Sequence, residues 1–125
     1  MTSYFFIAAG GALGALSRYW LGSAVQGLTG SNFPLGTFMV NVLGSFLIGL
    51  LFIALSERIL LAETLRPLIV IGFLGAMTTF STFSLDALLL LQNGHYNSAF
   101  LYVLGSVAIC LLAASAGLFL ARAIF

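Results

Sequence analysis

Apolar residues run along this chain in four helix-length blocks, each closed by a short polar or turn-forming stretch. A helix needs roughly 20 apolar residues to cross the hydrocarbon core of a bilayer, so the blocks predict four membrane spans near residues 4–25, 34–56, 67–92 and 96–122. The run QGLTGSNF separates the first two and ends at Pro34, a residue suited to the first turn of a new helix, and Pro67 opens the third span in the same way. Between them, Ser56 to Arg66 carries Glu57, Arg58, Glu63 and Arg66 around ILLA, which reads as a short amphipathic connector lying at the interface. Asn93-Gly94 supplies the last turn. No soluble domain or linker is left over, so residues 1–125 read as one transmembrane unit. Its start, Met1-Thr2-Ser3-Tyr4, lacks a basic n-region and runs into an apolar stretch longer than an h-region, which favours a first span over a cleaved leader.

Polar residues inside the spans fall into stripes. Thr37, Asn41 and Ser45 recur every four residues on the second span, with Gly44 beside them, and Ser98, Tyr102, Ser106 and Cys110 do the same on the fourth. Small and polar residues are common where membrane helices touch, so each stripe alone reads equally well as interhelical glue. The third span changes the balance. Its stretch IGFLGAMTTFSTFS places Thr78, Thr79, Ser81, Thr82 and Ser84 in an otherwise apolar segment, just after Gly72 and Gly75. Hydroxyls in a bilayer must bond back to their own helix, find other partners or line a wet path. Two stripes plus this cluster favour a polar pathway. Asn41 is the hardest to explain as glue, because its amide carries two donors as well as an acceptor.

The first span differs. Gly10, Gly14 and Arg18 are spaced by four and share a face, which supports a structural or vestibule role for Arg18 inside the protein; Tyr19 and Trp20 support instead an aromatic belt, with Arg18 snorkelling to the headgroups. Asp86, the one carboxylate inside a span, suits either a hydrogen bond near a vestibule or a wet mouth.

Composition confirms the solvent. At 62% hydrophobic and 6% charged, with four arginines and no lysine, the chain has no ordinary water-soluble surface: it is an all-α integral membrane protein. A net charge of +1 argues against nucleic acid as a partner. Cys110 is the single cysteine, so there is no intrachain disulfide and no Cys-rich metal site. Arg58, Arg66 and Arg122 fall on one side against Arg18 and His95 towards the other, a bias weak enough for both orientations to occur. The two halves show no internal repeat, so any symmetry must come from assembling copies.

GGALGALSRY at 10–19, GTFMVNVLGSFLIG at 36–49 and GFLGAMTTFSTFS at 72–84 resemble the three signature blocks of the Fluc fluoride channel family, also called CrcB. Order and spacing match along nearly the whole chain, with no departure inside the blocks. The resemblance implies four transmembrane helices with a broken third, and two subunits assembled in opposite orientations as an antiparallel, dual-topology homodimer. It further implies two fluoride pores, a central structural sodium ion, and a bacterial inner membrane from which fluoride leaves the cytoplasm. By similarity, Phe80 and Phe83 are the pore-lining pair and Asn41 the donor on the second helix, while Tyr102 and Ser106 contribute from the fourth. Thr37, Ser81 and Thr82 add hydroxyls. The family pattern assigns the sodium to the backbone carbonyls of Gly75 and Thr78, with the helix break expected within Gly75 to Thr79. Fluoride holds its water tightly, so a selective pore must replace that water with neutral donors and aromatic edges without binding the ion so well that it never leaves.

Two rivals from other classes are weaker, and a third, a purely structural assembly subunit, would leave the polar stripes merely as glue. A small four-helix dual-topology transporter of another substrate, such as a proton-coupled multidrug exporter, needs an exchangeable carboxylate in the membrane; the first span has none and Asp86 is poorly placed. An intramembrane enzyme lacks a Ser–His, Cys–His or paired-acid constellation, since His95 falls in a turn and Cys110 is alone. The chain is therefore expected not to be an enzyme.

Overall fold

The computed structural model describes residues 2–58 and 62–125, and among these the regular structure is entirely helical. Helix α1 spans Thr2–Thr29, α2 Leu35–Ile53, α3 Ala62–Arg66, α4 Gly75–Met77, α5 Phe80–Gln92 and α6 Tyr96–Ile124; π-helical turns cover Ala54–Arg58 and Pro67–Leu74. Part of the expected interfacial connector, residues 59–61, lies outside the described residues. On its described portion, Glu63 and Arg66 are exposed.

Three of the four expected spans are long and apolar enough to cross a bilayer: Leu35–Ser56, Glu63–Gln92 and Tyr96–Ile124. Helix α1 is not among them by composition, because Arg18, Gln26, two tyrosines and five glycines dilute its apolar residues. Its 28 residues nevertheless reach about 42 Å, more than the roughly 30 Å of hydrocarbon.

Two boundaries move. Helix α1 continues through QGLT to Thr29, past the expected end at 25. The turn is organised not by helix termination at Gln26 but by that residue's side chain: Nε2 donates to the Ser31 and Phe33 carbonyls at 2.8 and 3.0 Å, and Oε1 accepts from Gly36 N–H at 3.0 Å. The chain then reverses at Gly30, whose φ of 57° suits a residue without a Cβ. The third span also starts earlier than Pro67, at Glu63. A proline removes one helical donor and crowds the preceding turn; here it opens the π-helical stretch Pro67–Leu74, whose wider turn accommodates it.

The burial pattern inverts that of a soluble bundle. On α6, Ala99, Tyr102, Ser106, Gly117 and Ala121 are buried, whereas Phe100, Leu101, Leu111, Leu112 and Phe119 point outward. Small and polar groups facing inward with large apolar ones outside is the arrangement lipid demands. Glycines bring the helices backbone to backbone. A Cβ on Gly10 or Gly14 of α1 would strike the Leu68 or Phe73 carbonyl, and one on Gly49 or Gly117 would strike the Ala114 or Phe46 carbonyl between α2 and α6. Pro67–Leu74 and α4 therefore pack on α1, while α6 packs on α2 and receives α5. The third span thus passes from one helix pair to the other, and it does so between α4 and α5.

Candidate functional site

At that crossing the backbone leaves the helix for two residues. Thr78 (φ −80°, ψ 152°) and Thr79 (φ −151°, ψ 121°) are extended. This narrows the expected break of Gly75–Thr79 to its last two positions. Asn41 on α2 holds the break from the side: its Nδ2 donates to the Thr79 carbonyl at 3.0 Å and its Oδ1 accepts from Thr79 N–H at 2.8 Å. The side-chain amide thereby replaces a neighbouring backbone, satisfying groups that would be costly to leave unpaired in a membrane. It uses one of its two N–H donors in doing so and keeps the other.

The same geometry frees carbonyls at the end of α4, those of Gly75 and Thr78 among them. In an unbroken helix Thr79 N–H would serve the Gly75 carbonyl and Thr82 N–H the Thr78 carbonyl. Thr79 N–H goes instead to Asn41, and Thr82 N–H goes to Thr79 Oγ1 at 3.2 Å, where Thr79 caps α5. The Gly75 and Thr78 carbonyls are thus two backbone oxygens without their helical donors, at a residue, Gly75, that is exposed on the protomer. Carbonyl oxygens suit a hard cation, so the residues present fit the sodium site implied by the resemblance.

The five hydroxyls divide. Thr78 Oγ1 donates to the Leu74 carbonyl and Ser84 Oγ to the Phe80 carbonyl, both at 2.9 Å, which is back-bonding within the helix. Thr79, Ser81 and Thr82 form a separate group around Thr79 Oγ1, with hydroxyl contacts of 3.2 Å to Ser81 and to Thr82.

Two cavities flank the break. The first, about 470 Å³, lies between α1, α2 and α5 and is polar: Arg18, Gln26, Asn32, Thr37, Thr82 and Asp86 line it together with Thr79. The second, about 260 Å³, is lined by Asn41, Ser45, Thr79, Phe80, Phe83, Ser106 and Cys110, none of which carries a formal charge. Thr79 belongs to both. Two polar atoms in this region are buried without a hydrogen-bond partner: Arg18 Nε, on a residue of the first cavity, and Ser106 Oγ, on a residue of the second.

A stack of rings backs the second cavity. Phe80 stacks on Phe83 (5.4 Å between centroids, 14° between planes), Phe83 on Tyr102 (5.1 Å, 25°), and Phe33 meets Tyr102 edge-on (5.5 Å, 87°). The two phenylalanines, three residues apart on α5, are not equivalent: Phe83 is 7% exposed and Phe80 79%. Tyr102, 1% exposed, donates through its hydroxyl to Asp86 Oδ2 at 3.2 Å.

The structure therefore brings most of the expected site residues together. Asn41, Phe80, Phe83 and Ser106 share the second cavity, and Arg18, Thr37 and Thr82 the first. Arg18 lines the first cavity with its Nε buried, the feature that the vestibule reading of this residue calls for. Ser81 lines neither cavity and meets Thr79 through its hydroxyl, and Tyr102 sits behind Phe83, reaching the first cavity through Asp86. Gln26 and Asn32 join the first cavity without having been singled out from the sequence. Both stood in a stretch read as turn; the available signal was a carboxamide, which can clasp a loop by donating and accepting at once.

Residues 5–118 match the family described as "CrcB-like protein, Camphor Resistance (CrcB)". A protein of Magnetococcus marinus named fluoride-specific ion channel FluC is 50% identical over 95% of this chain and 97% of its own length. Proteins with the same name from Hahella chejuensis and Geobacter sulfurreducens are 50% and 48% identical, over 95% and 98% of this chain and 94% and 98% of their own lengths.

Proposed function

The chain belongs to the CrcB family, and on that premise we propose that it is a passive, fluoride-selective channel, working as an antiparallel homodimer with two pores and a central structural sodium ion in a bacterial inner membrane. Members named for fluoride conduction are channels, not enzymes, and the proposed direction of flux is out of the cytoplasm. The observation that carries the proposal is Thr79. Among the described residues it is the one shared by the charged first cavity and the uncharged second one, and Asn41 holds it on one side.

The physics of the two cavities suits a small anion. Arg18 and Asp86 in the first nearly cancel, so the compartment admits an ion without trapping it. In the second, the remaining Asn41 N–H and the unpartnered Ser106 hydroxyl are neutral donors, and the Phe80 and Phe83 ring edges carry the positive side of the aromatic quadrupole. Neutral donors replace a hydration shell without the deep well of a full positive charge. Helix α1 serves as the fourth span in this reading, its polar face turned to the first cavity.

Reconstituted protein is expected to pass fluoride down its gradient and to exclude chloride, read with a fluoride electrode outside loaded liposomes. Equal chloride efflux, or fluoride movement that requires a proton gradient, sinks the channel reading.

A second protomer answers what one chain leaves open. Phe80 and Gly75 face outward, and four helices are too few to enclose a wet path and also cover their own polar stripes. In an inverted pair, the released carbonyls of Gly75 and Thr78 from each copy would meet at one axis and hold sodium; the ion supplies the positive charge that keeps four facing carbonyl dipoles together. Dual insertion is tested with one cysteine placed at a terminus in a Cys110→Ser background and an impermeant thiol reagent applied to sealed cells. About half of the copies are expected to be labelled from outside, given the weak arginine bias; labelling of essentially all or none rejects the inverted pair.

A further inference from the structure

A third cavity, about 390 Å³, lies at the end of the bundle where the α1–α2 and α5–α6 connections meet, and the proposed conduction path leaves it unused. Asn32, Asp86, Asn93 and His95 give it a polar wall, and it shares Asn32, Pro34 and Asp86 with the first cavity. The two cavities therefore adjoin. Asn32, Asn93 and His95 are exposed, which puts the third on the water side, while the first reaches Thr79 at the break. The turn after α5 fixes His95 at the rim. Gly94, with φ 80°, lets the chain reverse; His95 N–H then returns to the Leu90 carbonyl and its own carbonyl accepts from Ala99 N–H, both at 2.9 Å. The imidazole caps no N–H of α6, so the backbone, not the ring, holds this position.

Charges follow one another along this route. Asp86 lines both cavities and Arg18 only the first, so an anion arriving from water meets a carboxylate before it meets an arginine. The other titratable groups near His95 are Tyr102 of α6, bonded to Asp86, and Tyr19 of α1 across the first cavity; α2 brings none to either cavity. Tyr96, next in the chain, lines a separate apolar cavity. His95 is thus the residue that can set a variable charge beside Asp86, since imidazole is the side chain whose ordinary charge change falls between about pH 5 and 8.

We propose that the third cavity is a water-side entrance to the fluoride path and that His95, when protonated, steers the ion into it. The inference rests on the channel reading and adds to it a residue that sets the rate of entry. Protonated His95 offsets the Asp86 carboxylate at the rim, whereas neutral His95 leaves that carboxylate facing the incoming anion. An exposed charge in water acts over about 8–10 Å at ordinary ionic strength, so its effect on entry is roughly twofold rather than decades.

The test uses full-length protein in liposomes with equal pH and equal sodium isethionate on both sides. Fluoride efflux is compared at about pH 6 and about pH 8, after subtracting protein-free liposomes to remove neutral hydrogen fluoride crossing the lipid. At roughly 20 mM salt, wild-type efflux is expected to be about twofold faster at the lower pH, and at roughly 500 mM, where the screening length is about 4 Å, the ratio should fall towards one. His95→Gln keeps a polar side chain and removes no cap, so its ratio should be one at either salt concentration. His95→Arg should run at the faster rate at both pH values. Equal wild-type efflux at the two pH values overturns the proposal, as does a ratio that salt leaves unchanged or one that His95→Gln retains. Protein that passes no fluoride at either pH brings down the channel reading itself, a result separate from these.

Discussion

Asn41→Asp is expected to cost roughly two to three decades of fluoride efflux while the protein still folds and dimerises. Asn41 accepts from Thr79 N–H and donates to the Thr79 carbonyl, so it pairs both backbone groups of the break. An ionised aspartate keeps the first bond and loses the second, setting a carboxylate oxygen against the carbonyl oxygen. An unpaired buried carbonyl costs about 1–3 kcal/mol. The charge adds a larger penalty: a unit negative charge facing fluoride at about 4 Å costs about 4 kcal/mol at an effective dielectric constant of 20, close to three decades in rate. Protonation removes the charge and lets the aspartic acid donate to Thr79 again, so efflux that recovers on acidification assigns the loss to the ionised carboxylate. Wild-type efflux with unchanged thermal unfolding would remove Asn41 from the pathway.

Phe80→Ile should lower efflux by roughly a hundredfold with little change in protomer folding. The argument turns on exposure. Burial of a phenylalanine ring is worth about 1.5–3 kcal/mol to a fold, but Phe80 is 79% exposed and buries little in the protomer. Its one aromatic neighbour is Phe83, at 5.4 Å. Isoleucine keeps apolar bulk and removes the ring's electropositive edge, so a large loss of flux identifies that edge as the working part. The same substitution at Phe83 is less informative, because Phe83 is packed between Phe80 and Tyr102 and its removal also disturbs the stack. Unchanged efflux in Phe80→Ile at normal expression would mean that the ring serves only to pack.

Much of this was legible before any coordinates. The apolar blocks located three of the four expected spans, the hydroxyl cluster marked the break, and four-residue spacing put Thr37, Asn41 and Ser45 on one face; those features depend on local period and composition, which a sequence carries. What stayed hidden was pairing at long range. Nothing in the spacing says that the Asn41 amide meets a backbone 38 positions later, or that Gln26 reaches forward to Gly36. Helical geometry also treats Phe80 and Phe83 alike, since residues three apart share a face; only the packing of α6 against α5 tells the buried ring from the free one. Pro67 misled for a simpler reason. A proline signals a helix start unless a wider turn absorbs it, and the π-helical stretch does so.

The glycine contacts have a mechanical meaning. Where two backbones touch, as at Gly10 and Gly14 or at Gly49 and Gly117, there is no side chain to bend, and each helix pair is stiff. Between the pairs one backbone contact is equally close, Gly36 against the Gly22 carbonyl, and the links nearer the break run through side chains: Gly44 against the Thr78 methyl and the Asn41 amide on Thr79. The third span begins on one pair and ends on the other, and at its joint no helical hydrogen bonds cross to share a load. A shift of one pair against the other is therefore held at Gly22–Gly36, and its displacement falls on Thr78 and Thr79, the two residues whose backbone is already extended.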